Sequence, residues 1–262
     1  MKTILRLAIC MTLFVTIPAN CQSKMVSIKG GEYIPLYGRD SLKVSIGDFL
    51  MDVYPVTNKE YLDFVKKYPK WQKSKAIKLF VDGSYLREWK SDTILNPNQK
   101  LHSPITNISW FAAKGYCESQ NKRLPTVDEW EYVAMANEKM PDARTLTTYN
   151  EYILSWYEKP KTSTLTIGST FKNYWKVYDL HGLVWEWTSD FNSVLVSGES
   201  RKDVDNDSNL FCGSAAIGAT DLMNYAAFMR YAIRGSLKAK YTMKNLGFRC
   251  VKNSKVNPNE IN

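Results

Sequence analysis

Histidine is nearly absent from this chain: His102 and His181 are its only two. Two isolated imidazoles exclude an H-E-x-x-H zinc helix, and neither a Ser-His-Asp order nor a phosphate-binding glycine loop is present. No apolar run reaches the roughly 18 residues that a membrane-spanning helix needs. There is no internal repeat and no low-complexity tract, which removes solenoid and linker architectures. The net charge is +9, but no dense basic run accompanies it. The excess therefore reads as a mildly basic, solvated surface suited to an anionic envelope, with no nucleic-acid partner expected.

Cysteine is scarce as well, and its placement is informative. Two of the five cysteines, Cys10 and Cys21, fall in the opening "MKTILRLAICMTLFVTIPANCQSK". Lys2 and Arg6, an apolar run from Leu7 to Ile17 and a small, polar end form the pattern of a secretory signal peptide over residues 1–21. Two outcomes follow for its end: cleavage after Cys21, or lipidation of Cys21 as the first residue of a lipoprotein. Either places the protein outside the cytoplasm, in the periplasm or on the outer membrane. The remaining cysteines are Cys117, Cys212 and Cys250. An exported chain is expected to oxidise one pair and leave one cysteine over, and three pairings are open.

Aromatics are abundant, with 16 Tyr, 10 Phe and 8 Trp, which suits a loop-rich interior filled by flat rings. "VSIKGGEYIPL" reads as two short strands around a Gly30-Gly31 turn. Lys43 to Val53 is strand-like, with a break at Gly47-Asp48. Thr57 and Glu60 form a capping box, and Tyr61, Phe64, Val65 and Tyr68 follow at helical spacing until Pro69. Residues 70–101 read as irregular. A second helix begins after Thr106-Asn107-Ile108-Ser109, with Trp110, Ala113, Tyr116 and Cys117 on its buried stripe. A third starts at the capping box Thr126–Glu129 and turns Trp130, Val133 and Ala134 inward. Residues 138–175 carry few signals, and short strands and turns are expected from Val177 onward. The expected organisation is one α+β domain over 22–252, followed by a polar tail at 253–262.

Four segments carry a resemblance. They are "GGEYIP … VYPVTNKEYLDF", "SPITNISWFAAKGYCESQNKRLPTVDEWEYVA", "VYDLHGLVWEWTSD" and "RYAIRGSLKAKYTMKNLGFRC". In this order they resemble the formylglycine-generating enzyme, or sulfatase-modifying factor, family. That resemblance implies a loop-rich α+β fold related to C-type lectins. It also implies a disulfide between Cys117 and Cys250, leaving Cys212 unpaired.

The resemblance gives "DLHGLVWEWTSD" a role. In the family this loop holds a structural calcium ion. The implied ligands here are the Asp179 side chain, the carbonyls of Gly182 and Val184, and the Glu186 carboxylate, with Leu183 where the family has Asn. The chemistry is coherent, because calcium takes six to eight hard oxygens. The competing reading pairs Glu186 with an arginine such as Arg123 or Arg234, a common fate of buried carboxylates.

The family's oxidative chemistry implies copper(I) held by two cysteines five residues apart. Counting back from Gly247-Phe248-Arg249 without gaps, these positions fall on Ala226 and Tyr231; a short insertion around Cys212-Gly213-Ser214 would shift the first, but no cysteine occurs between Gly213 and Arg249 whatever the gap. Met223, Met229 and Cys212 cannot replace a reactive thiolate pair for soft Cu(I). The family's second branch uses three histidines on iron, and this chain has two histidines in all. Copper is not expected, and neither is iron. The leading expectation is an exported, non-catalytic binding or scaffolding component of a bacterial cell envelope. Such a component would have an envelope protein partner and resemble gliding-motility and type IX secretion lipoproteins, with membrane association through a lipidated Cys21. The alternative is an oxidoreductase with an altered site around Arg230, Tyr231 and Arg234. A third class is a glycan- or peptide-binding module using Trp71, Tyr85 and Trp89.

Overall fold

A computed structural model describes residues 24–36, 42–158, 165–193 and 225–254. The expected leader 1–21 with Cys21, the leftover Cys212, Met223 and most of the 253–262 tail lie outside the described residues.

The chain opens with β1 (Met25–Ile28), β2 (Gly31–Tyr33), β3 (Val44–Ile46) and β4 (Phe49–Asp52). The expected hairpin at Gly30-Gly31 is not formed. Instead β1 pairs with β4 and β2 with β3, both antiparallel. Gly30 sits where the two pairings meet, and a Cβ there would lie 2.1 Å from the Ile46 carbonyl oxygen. The glycine therefore serves close backbone approach rather than a turn.

Three helices begin where their capping residues dictate. α1 (Asn58–Lys67) has the full Thr57–Glu60 capping box. The Ser109 side chain accepts from the Ala112 amide at the start of α2 (Trp110–Ser119). α3 (Val127–Ala134) has the Thr126–Glu129 box, each satisfying otherwise orphaned helix amides. Between α1 and α2 the chain is irregular apart from a short 3-10 turn at Pro69–Trp71 and the strands β5 (Trp89–Ser91) and β6 (Ile94–Leu95).

Two further helices were not anticipated. α4 spans Thr147–Glu158 and α5 spans Tyr225–Ser236. On α5 the buried positions are Ala226, Arg230 and Arg234. They lie at helical spacing, but two are arginines, so the apolar period that signals a helix is missing. On α4, Tyr149 and Ile153 are buried in a segment rich in aromatics and threonine, which depresses helical propensity.

The chain ends in β7 (Trp185–Glu186), β8 (Leu246–Gly247) and β9 (Val251–Asn253). β9 pairs antiparallel with β4, giving the sheet order β1-β4-β9. The first and last strands thus flank the fourth. Cys117 on α2 and Cys250, just before β9, form the expected disulfide across a separation of 133 residues. Both are fully buried, among the rings of Tyr61, Phe64, Tyr116 and Phe248. The arrangement is α+β, with short strands and a large share of irregular backbone, as the residue pattern implied.

Candidate functional site

Glu186 is a meeting point rather than an isolated acid. Its two oxygens accept from Arg249 Nη2 and Nε, each at 2.8 Å, and the second also accepts from Trp130 Nε1 at 2.8 Å. Both charged side chains are fully buried. Arg249 donates further to the carbonyls of Asp52 at 3.2 Å and Tyr178 at 2.9 Å. Three separated motifs therefore converge here: the helix after R-L-P-T, the W-E-W strand, and G-F-R. The parallel pairing of β7 with β8 fixes the register, setting Glu186 opposite Gly247. Arg123 and Arg234, the anticipated partners, are engaged elsewhere: Arg123 with Glu129 at 2.6 Å and Arg234 with Glu131 at 2.6 Å.

Of the other implied calcium ligands, Asp179 is held by a separate set of donors. The buried Asp179 carboxylate accepts from the Gly168 amide and, at 3.0 Å, from the Thr170 amide and hydroxyl. Gly182 has a positive φ of 89°, and a Cβ would lie 2.5 Å from the Trp156 ring. Val184 is buried. In this arrangement protein donors engage both carboxylates, and a calcium ion at Glu186 would compete with the Arg249 guanidinium for its oxygens. Melting curves with millimolar calcium and with chelator are accordingly expected to superimpose. A calcium-dependent rise in Tm, the signature of an ion bound to the folded state, would restore the ion as the ligand of Glu186.

A cavity of about 110 Å³ opens beside this hub, between α3, α4 and α5. Ala226 and Tyr231, the positions where the resemblance places the copper cysteines, both line it. They lie on one α-helix five residues apart, which separates them by about 140° around the axis and about 7.5 Å along it. The floor carries Glu131, which Arg230 holds through Nε at 2.9 Å and Nη2 at 2.8 Å, and Arg234 through Nη1 at 2.6 Å. Both guanidinium groups also lie over the Trp130 ring, at 5.6 Å and 5.0 Å. Burial would raise the Glu131 carboxyl, but the charges and hydrogen bonds of the two arginines outweigh it and bring its pKa down to about 2. The triad is thus a fixed ion cluster at neutral pH, and Arg230 and Arg234 are structural partners of Glu131. Nothing in the residue pattern announced Glu131; the four-residue spacing of the two arginines would have been the clue, had α5 been recognised as a helix.

His181 is buried at the cavity edge, its Nε2 2.9 Å from the Ala134 carbonyl and its ring stacked on Phe171. It lies in the turn that leads into the W-E-W strand. Of the three aromatics considered for a glycan surface, Tyr85 and Trp89 are core residues at 4% and 2% exposure. The Tyr85 hydroxyl bonds to those of Tyr61 and the Trp71 carbonyl, so only Trp71 retains a solvent-facing part.

Residues 12–254 match the Sulfatase-modifying factor enzyme 1-like domain. The chain is 26% identical to the inactive C-alpha-formylglycine-generating enzyme 2 of Bos taurus, covering 90% of each protein. It is 29% identical to the serine/threonine-protein kinase pkn1 of Chlamydia pneumoniae over 66% of its own length, but spans only 29% of that protein. Among solved structures, PvdO from Pseudomonas aeruginosa is similar over 88% of this chain and 95% of that one, at 17% identity and a TM-score of 0.48. With the domain match covering nearly the whole chain and the R-L-P-T, W-E-W and G-F-R segments meeting at one buried hub, the chain belongs to the sulfatase-modifying factor, or formylglycine-generating enzyme, family.

Proposed function

We propose that this chain is a non-catalytic member of its family, an exported component of a bacterial cell envelope that binds a protein partner through the cavity between α3, α4 and α5. The observation that carries the reading is the residue pair at the implied copper positions. Ala226 has no ligand atom, Tyr231 offers only a phenol, and soft Cu(I) takes thiolate or thioether donors. The described cysteines are Cys117 and Cys250, and they are oxidised to a disulfide, so neither supplies a thiolate. The cattle relative named as inactive supports the same reading. The envelope setting, of the kind occupied by gliding-motility and type IX secretion lipoproteins, draws on the leader pattern and Cys21.

Anaerobic titration with Cu(I) is expected to find no stoichiometric site, and a cysteine-containing peptide incubated with copper and oxygen should yield no aldehyde. A photoreactive side chain at Tyr231 should trap one envelope protein in cells, and Ala227→Trp, which fills the cavity, should abolish that adduct. Tight copper or aldehyde product would overturn the non-catalytic reading in favour of an oxidoreductase with an altered site.

A further inference from the structure

The stretch from Phe64 to Val81, "FVKKYPKWQKSKAIKLFV", contains six lysines and no acidic residue. The absence of a dense basic run therefore does not hold at this one place, where lysines alternate with apolar side chains and escape a scan for contiguous charge. Lys66, Lys67, Lys70, Lys75 and Lys78 are exposed, and Lys114 of α2 joins them.

The backbone here is a set of hydrogen-bonded turns anchored to the body of the protein. The Ser74 amide and hydroxyl bond to Asp92 at 2.7 and 2.6 Å, and Lys73 Nζ donates to the Trp89 carbonyl. Ala76 packs against the core, and Phe80 lies 6.5 Å from Trp71 and 5.1 Å from Phe111. Between these anchors Ile77 and Leu79 point outward, at 60% and 73% exposure. A trough of about 340 Å³ reaches the same segment at Phe80, lined by Tyr68, Trp71, Phe80 and Phe111, with Lys70, Lys114 and Glu118 also in its wall. The nearby acids are committed. Asp63 pairs with Lys59, Asp82 bonds to Ser84 and Thr242, and Glu118 faces Lys114 at 3.7 Å.

A fixed loop that holds two aliphatic side chains in water near an aromatic trough, where lysines outnumber the neighbouring acids, has a specific complement. We propose that the Lys66–Phe80 surface docks on an anionic lipid bilayer, with Ile77 and Leu79 entering the acyl boundary and the lysines lying at headgroup level. Apolar side chains flanked by lysine are the composition of an interfacial anchor, where apolar burial and attraction to anionic lipid add. An acidic polysaccharide would use the same charge but has no place for the exposed Ile77 and Leu79, which is why the bilayer is favoured. The inference does not depend on the cavity reading or on lipidation of Cys21.

The test is amide hydrogen exchange of the full chain with vesicles of phosphatidylcholine alone and with added phosphatidylglycerol. Exchange in residues 66–80 should slow with the anionic vesicles, not with the neutral ones, and the effect should weaken in high salt. Ile77→Ser with Leu79→Ser, both exposed and outside the core, should lower vesicle affinity about tenfold or more at unchanged charge. Lys75→Gln should lower it roughly fivefold. Three results would overturn the proposal: no local protection by anionic vesicles, an affinity unaffected by losing Ile77 and Leu79, or protection of the same residues by an acidic polysaccharide alone.

Discussion

Glu186→Gln should destabilise the folded protein by about 3–5 kcal/mol, the usual cost of stranding a buried charge. The substitution keeps the shape and can still accept the Trp130 N–H, but it leaves the Arg249 guanidinium without its counter-charge. Arginine cannot shed that charge by losing a proton. For a domain of this size the loss corresponds to a drop in Tm of roughly 6–20 °C. Arg249→Met should be comparably severe, since it orphans the Glu186 carboxylate and the carbonyls of Asp52 and Tyr178. Combining Glu186→Leu with Arg249→Met removes both charges at once and should cost less than the sum of the single changes. A loss below about 1 kcal/mol for Glu186→Gln, within the range of an exposed pair, would show that the hub is not the buried ion pair described here.

Removing the disulfide is the second large effect. Cys117→Ser with Cys250→Ser reopens a loop closed across 133 residues, and chain-entropy arguments put the cost at about 3–5 kcal/mol. The structural consequence is specific. Cys250 immediately precedes β9, and β9 holds the open side of β4. Without the bridge, the final strand rests on its ladder hydrogen bonds, the Arg123–Val251 bridge and the Cys250 amide bond to Asp52. Hydrogen exchange should therefore accelerate first in residues 251–253 and 123, ahead of α1. Uniform acceleration across the chain would instead mean that the bridge acts on global stability alone. Because both sulfurs are fully buried, reductant without denaturant should leave the native bridge intact.

The two effects address the same architectural question from opposite sides. The Glu186–Arg249 pair clips β7 and β8 to Trp130 on α3, and the disulfide clips α2 to β9. Between them they tie the helices to the end of the chain, where G-F-R-C supplies one member of each link. The cavity beside α3 is joined to this region, since Trp130, adjacent to Glu131, bonds to Glu186 and lies beneath Arg230 and Arg234.

The sequence by itself determined whatever depends on local spacing and residue chemistry. The starts of α1, α2 and α3 were legible because capping side chains act within three residues. The Cys117–Cys250 bridge and the lack of cysteines at the implied copper positions were both legible only through the family pattern. The tertiary structure decided what depends on which distant groups share a buried site. Several arginines were candidate partners for Glu186, and the parallel register that places Gly247 opposite it, with Arg249 two residues on, fixed which one pairs with it. Helix α5 escaped notice because its inward face carries arginines, whose burial is tolerable only with Glu131 and Trp130 in place on α3. The exposed Ile77 and Leu79 were likewise indistinguishable in sequence from the buried Tyr85 and Trp89. An apolar side chain records a preference for leaving water, and only the packed structure shows whether the protein itself provides the place.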